Sequence, residues 1–352
     1  MTRASRIAFV VVAALLLASC AKLGTSATSV PPADVYAAFP ALSDVRSLLG
    51  DINWWQGPPS FEVSPLDSAT MPLNVRYSIA QQYIHLGTAE VWALRYTVYD
   101  KTSSATTRMT DLQNAFGTSP TNPKVGDQVL YYGLGGSGAA PYITRTFVRL
   151  GQIVVTIVWA QKDLSVTVQR LGKNADKAVA GLKTVLGSRA HHSLPAVDQK
   201  SLPPPALNIT YLGSAALPIE TWVVMQNLAI PGTGLKLLQD AGVKDFAYGD
   251  YALNNDTHME VRSSLLTFAT PTAAADWASA WSPGTPDATG IASGYVPGGG
   301  TPAAGEYHYL FISGVYGGEL ICKPSLDGEA ASRECERPME STAISWKLAL
   351  GG

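Results

Sequence analysis

The spacing of hydrophobic positions changes along the chain, and each change marks an element. Residues 90–99 alternate, with Trp92, Leu94, Tyr96 and Val98 on one side and mixed residues between them, which predicts a strand with one buried face. Thr102 or Ser103 then offers a helix N-cap. Ala105, Met109, Leu112 and Phe116 follow at helical steps, up to a stop at Gly117. A strand is expected over 126–132, and a hairpin over 142–149 and 152–159 that turns at Leu150-Gly151. A long helix over 165–186 would end at Gly187 in the left-handed conformation.

The second half repeats the plan. Strands over 244–253 and 258–268 flank the turn sequence Asn254-Asn255-Asp256-Thr257. Thr270 caps a helix with Pro271 at its first position, and Ala274, Trp277, Ala278 and Trp281 form its apolar stripe. A Gly/Pro loop over 283–304, strands over 306–312 and 319–323, and a last helix over 340–350 complete the half. The same order occurring twice predicts an α+β fold of two similar half-domains, 35–187 and 208–352. Each would be a mostly antiparallel sheet with helices on one face. Between them, 188–207 contains Pro195 and Pro203-Pro204-Pro205 and reads as a Pro-rich linker that resists helix.

At the N-terminus, Arg3 and Arg6 precede an apolar run over 7–18. As a helix that run is about 18 Å long, against the roughly 30 Å needed to span a bilayer. It fits the apolar core of a signal peptide over 1–19. Leu17-Ala18-Ser19-Cys20 resembles the lipobox of bacterial lipoproteins. The resemblance implies that Cys20 is acylated and begins the processed chain, held outside the cytoplasm in the cell envelope. Two or more acyl chains anchor stably where one does not. Residues 20–34 lack apolar periodicity and read as a flexible tether. No other stretch approaches about eighteen consecutive apolar residues, so no transmembrane helix is expected.

Charged residues make up 15% of the chain and the net charge is −2, with no Lys/Arg cluster along the sequence. This excludes nucleic acid as an expected partner, because such binding needs concentrated positive charge. The chain has three cysteines. With Cys20 acylated, Cys322 and Cys335 can pair with one another, closing a short loop worth about 3 kcal/mol in the chain-entropy model. A thiolate metal site is the alternative, but two ligands are too few for it.

The body of the chain resembles a bacterial exported-protein family of unknown function whose members carry two such halves. The resemblance lies in residues 83–100 with the capped helix after them, in Val125-Gly126-Asp127 before a Tyr-rich strand, and in 245–253 ahead of Phe268-Ala269-Thr270. It extends over most of 40–350 and implies no catalytic residues.

Few constellations suggest chemistry. Gly133-Leu134-Gly135-Gly136-Ser137-Gly138 has the glycine spacing of a dinucleotide fingerprint, but a strand follows it where a helix is required. His191 and His192 read as a solvated pair in the linker, and His308 as a histidine on a sheet surface. His85 and His258 lie near strand starts without a Ser or Cys motif. Asp245, Asp250, Asp256 and Glu260 read as solvating carboxylates around a turn. Trp54 and Trp55, expected in a loop, are speculative binding residues: one could be buried and the other exposed to stack on a sugar or grip a partner. No cofactor and no metal is expected. The expected function is therefore a non-enzymatic envelope module for a partner protein or glycan, anchored to the membrane through its lipid. The alternative is a carrier of a lipid or other hydrophobic molecule, and a hydrolase is the remote third.

Overall fold

The computed structural model describes residues 30–63, 74–88, 90–133, 141–162, 166–188, 190–207, 209–226, 231–253, 256–296, 305–323 and 329–351. Residues from Pro32 onward form one compact unit. The first half runs α1 (Pro32–Ala37), α2 (Leu42–Leu49), β1 (Trp54–Gln56), β2 (Ser60–Val63), β3 (Val75–His85), β4 (Glu90–Tyr99), α3 (Thr102–Phe116), β5 (Gln128–Tyr132), β6 (Tyr142–Leu150), β7 (Ile153–Gln161) and α4 (Val168–Gly187). The second runs β8 (Ile209–Pro218), α5 (Ile219–Met225), α6 (Pro231–Asp240), β9 (Asp245–Leu253), β10 (Asp256–Thr267), α7 (Pro271–Trp281), β11 (Ile291–Val296), β12 (Glu306–Ser313), β13 (Tyr316–Lys323) and α8 (Glu329–Ala349).

The first sheet has the order β1-β3-β4-β7-β6-β5, with β2 also on the outer edge of β3. The second, read from its far end, has the order β8-β9-β10-β13-β12-β11. The two orders are the same, with β8 in the place of β1 and β2. Every pairing is antiparallel, so the expected α+β fold with two similar sheet halves is observed.

Alternation on the strands sorts residues between two faces. Trp92, Leu94, Tyr96 and Val98 are buried, and the Tyr96 hydroxyl donates to the Ala178 carbonyl of α4 at 2.6 Å. In the second half Val261, Leu265, Tyr309, Phe311 and Leu320 pack against Met339, Ala343 and Trp346 of α8. The expectation of helices on one face describes these long terminal helices. The shorter α3 and α7 lie against the opposite faces: Ala105, Met109 and Leu112 pack on Tyr99, Phe147 and Val154, and Trp277 packs over Gly317.

Cys322 of β13 and Cys335 of α8 are joined in a disulfide, both fully buried, with Cα atoms 6.1 Å apart. It staples the last helix to the middle of its sheet. Replacing both cysteines by alanine is expected to lower the unfolding free energy by about 2–4 kcal/mol, read from urea midpoints with and without the bond.

Several boundaries differ from the sequence reading. The N-cap of α3 is Lys101, without a side-chain bond; Thr102 and Ser103 are inside the helix, and Ser104 reaches back to Asp100. Helix α4 runs through Gly187 to an extended Ser188, so Gly187 is no left-handed stop. The expected loop over 283–304 contains β11, which has only two buried residues, Ile291 and Ala292, and is held by its pairing with β12. Helix α8 starts well before 340 and continues through Pro338. By contrast, Thr270 caps α7 as expected, accepting from the Ala273 N–H at 3.1 Å. The expected tether ends earlier than 34: α1 begins at Pro32 and buries Asp34, so the last residues assigned to the tether belong to the fold. Residues 20–29, with Cys20, and the glycine run beyond Gly133 lie outside the described residues. Among the described residues no helix is long and apolar enough to cross a membrane.

The halves touch through β2. The Phe61 N–H donates to the buried Asp250 carboxylate, and the Tyr248 hydroxyl donates to the Pro59 carbonyl at 2.8 Å. The Phe61 ring sits over Gly213, where a Cβ would lie 2.5 Å from it, so this approach requires glycine.

Candidate functional site

The face of the first sheet that carries α3 is only partly covered among the described residues. Beside the helix it forms a trough of about 550 Å³. Its floor is made of alternate residues, including Ala80 and Gln82 of β3, Ala93, Arg95 and Thr97 of β4, and Thr156 and Val158 of β7. Arg145 and Phe147 of β6 and Arg108, Leu112 and Phe116 of α3 form its walls. Arg95 pairs across the sheet with Thr156, and Arg145 with Val158. The two arginines are thus two strands apart and two residues out of step, about 12 Å between Cα atoms from strand spacing and rise. Thr156 lies between them on β7. Arg108 enters from the helix, and the Arg145 guanidinium lies 5.7 Å from the Phe116 ring centroid. The described lining residues include no carboxylate.

The same face of the second half has the same register and opposite contents. Pairing places Ser264 where Arg95 stands, Glu319 at Thr156, Ile321 at Val158 and His308 at Arg145. Counted from the helix start, Trp277 takes the place of Arg108. Helix α5, inserted between β8 and β9, lies on this face. Its fully buried Trp222 packs on Trp277 and Trp281 at 6.0 and 5.7 Å. What is trough in the first half is core in the second.

The charges of that core are paired internally. His308 Nδ1 lies 2.9 Å from Glu319 Oε1, and Glu319 Oε2 accepts from Gln226 Nε2 at 2.6 Å and from Ser264 at 3.3 Å. Burial alone would lower the His308 pKa, but the Glu306 carboxylate 3.7 Å from Nε2 and the hydrogen-bonded Glu319 carboxylate outweigh it and raise the value to about 9. His308 is therefore a buried imidazolium, not the sheet-surface histidine its alternation predicts, because α5 and α7 pack where solvent was expected. Arg262 pairs with Glu260 at 2.6 Å. Asp250 is fully buried and Glu260 half-buried, so these two are structural groups and not solvating turn carboxylates.

The remaining sites from the sequence fall elsewhere. Trp54 is buried in β1, edge-on to His85, and Trp55 is half-buried; neither is among the described lining of the trough. His191 and His192 both bond the buried Asp34 of α1, at 2.9 and 3.1 Å, so the linker is fastened to the first helix. Burial pushes the Asp34 carboxyl up, and hydrogen bonds from the two histidines more than offset this and hold it below its ordinary value.

His85 has the contacts a hydrolase would need, with Asp51 at 2.9 Å on Nε2 and the Thr88 hydroxyl at 3.0 Å on Nδ1. However, Nδ1 already accepts from the Gly87 and Thr88 N–H groups, and the Thr88 hydroxyl donates to Glu90 at 2.9 Å. Hydrogen bonds from His85 and from the Asn53 N–H hold Asp51 below the usual carboxylate range. The array thus pins the β3–β4 turn, with the hydroxyl proton facing away from the base. No group of three or more potential metal ligands occurs among the described residues.

A second, apolar groove of about 290 Å³ runs between the linker and the second sheet, lined by Leu202, Pro203, Pro204, Tyr251, Val261 and Leu320 among others.

No family model and no curated protein matches the chain significantly. Among solved structures, the extracellular domain of PknH from Mycobacterium tuberculosis overlaps 44% of this chain and 95% of its own, at 14% identity and a TM-score of 0.30. That score is too low for the overlap to bear on function.

Proposed function

We propose that the protein is a non-enzymatic binding module, held outside the cytoplasm by a lipid on Cys20, whose ligand enters the trough of the first sheet. One observation carries the reading: the same sheet face occurs twice in the same register, filled by α5 in one half and left as a trough in the other. The trough volume lies within the range of about 300–1,000 Å³ typical of ligand pockets. Its described lining can hold charge and hydrogen-bond a ligand, but places no histidine or carboxylate beside Thr97 or Thr156 to activate a hydroxyl. The buried disulfide supports an oxidising compartment. A carrier of hydrophobic molecules has the linker groove in its favour, although about 290 Å³ falls at the lower edge of that range.

Replacing Thr156 by tryptophan fills the trough floor. After incubation of the lipid-free chain with a bacterial envelope extract, native mass spectrometry should show a retained small molecule. Retention should fall at least tenfold in Thr156→Trp. Undiminished retention in the variant, or none in the unaltered chain, would overturn the reading.

A further inference from the structure

We propose that the ligand of the trough is a phosphorylated amphiphile, its phosphate held over Thr156 by Arg108 and Arg145 with Arg95 beyond, and its apolar body lying along Leu112, Phe116 and Phe147. This rests on the trough being the binding site.

The second half supplies the template. There a cation on β12, His308, is neutralised by a carboxylate rising from β13, Glu319. In the first half the cation position holds Arg145, which carries a permanent charge, and the anion position holds Thr156, which carries none. The place taken by an internal carboxylate in one half holds none among the described residues of the other, and an anion from outside completes the same arrangement. The helix repeats this difference, with Arg108 at the position of Trp277.

The number and kind of cations select the anion. Two guanidiniums, from α3 and β6, face one trough, with the already engaged Arg95 of β4 beyond them, in a chain with few charges overall. Guanidinium forks match phosphate oxygens in pairs of hydrogen bonds. A phosphate monoester, with up to two charges and three free oxygens, can engage more of them than a lone carboxylate can. The Thr97 and Thr156 hydroxyls and the Gln82 amide lie on the same floor.

The walls select the body. Leu112 and Phe147 belong to the apolar cluster under α3, and the Phe116 ring stacks against Phe147 and Tyr132 at 5.6 and 5.2 Å. This apolar wall adjoins the arginines, since Arg145 lies over Phe116 itself. Inorganic phosphate would leave most of a 550 Å³ trough empty, whereas a phosphate bearing an apolar chain meets both walls.

The test is calorimetric titration of the lipid-free full chain with three probes: dihexanoyl phosphatidic acid, dihexanoyl phosphatidylcholine and inorganic phosphate. Phosphatidic acid should bind one to one, with the other two at least tenfold weaker. Arg108→Gln and Arg145→Gln should each weaken it at least tenfold, and Arg145→Lys less, with thermal midpoints near that of the unaltered chain. Equal binding of phosphatidylcholine, or no loss in the glutamine variants, would overturn the phosphate assignment. Equal binding of inorganic phosphate would overturn the amphiphile. If no phosphate probe binds while the extract ligand is still lost in Thr156→Trp, this inference fails and the binding-module reading stands.

Discussion

Glu319→Leu is expected to lower the unfolding free energy by about 3–5 kcal/mol at pH 6.5, because it removes the hydrogen-bonded counter-charge of the buried His308 imidazolium and leaves only the Glu306 carboxylate, 3.7 Å from Nε2. Glu319 is 2% exposed and bonds His308, Gln226 and Ser264 at once, so its loss leaves three buried partners short of a bond together. The double variant His308→Leu/Glu319→Leu should recover most of the loss, since an apolar pair of similar size needs no compensation. The pH dependence follows from the same pair. The folded-state pKa of His308 is raised from 6.5 to about 9. Its contribution is therefore full below pH 6.5 and is lost as pH rises through 9. The linked stability is about 3 kcal/mol. Urea unfolding between pH 6.5 and 9.5 should show that decline in the unaltered chain and not in the double variant. The upper limit keeps below the buried tyrosines, whose hydroxyls burial holds above their usual range. Equal stability at both ends of the window would refute the buried imidazolium.

Trp222→Ala should cost about 3–5 kcal/mol, the usual cost of removing a fully buried tryptophan. The indole wedges α5 against Trp277 and Trp281, and its loss removes the plug from the second sheet. The urea midpoint should fall with little change in slope. The emptied face should gain no affinity for phosphatidic acid, because Glu319 still neutralises His308. A variant as stable as the unaltered chain would show that α5 does not fill this face as a core element.

The strands and helices built on local periodicity were legible in the chain. Trp92, Leu94, Tyr96 and Val98 all turn inward, and Thr270 caps α7. The trough was not legible. Arg95 appeared as one of the mixed residues between apolar positions, and such residues read as solvated when a strand is taken alone. Arg108 and Arg145 lie on other elements, and only the order β4-β7-β6 with α3 above it makes the three neighbours. His308 differs from its sequence expectation for the matching reason: its strand position is outward, and α5 and α7 turn outward into buried. Trp54 and Trp55 form an aromatic pair in sequence, but β1 buries the first and half-buries the second.

The sequence by itself determined the doubled α+β plan and the apolar side of β4, because these depend on spacing within short segments, and setting Cys20 aside left Cys322 and Cys335 to pair. The tertiary structure alone decided that the opposite face of one sheet became a core and that of the other an arginine-lined trough. That choice turns on where α5 docks, and docking depends on contacts between residues far apart in the chain, which no local period records.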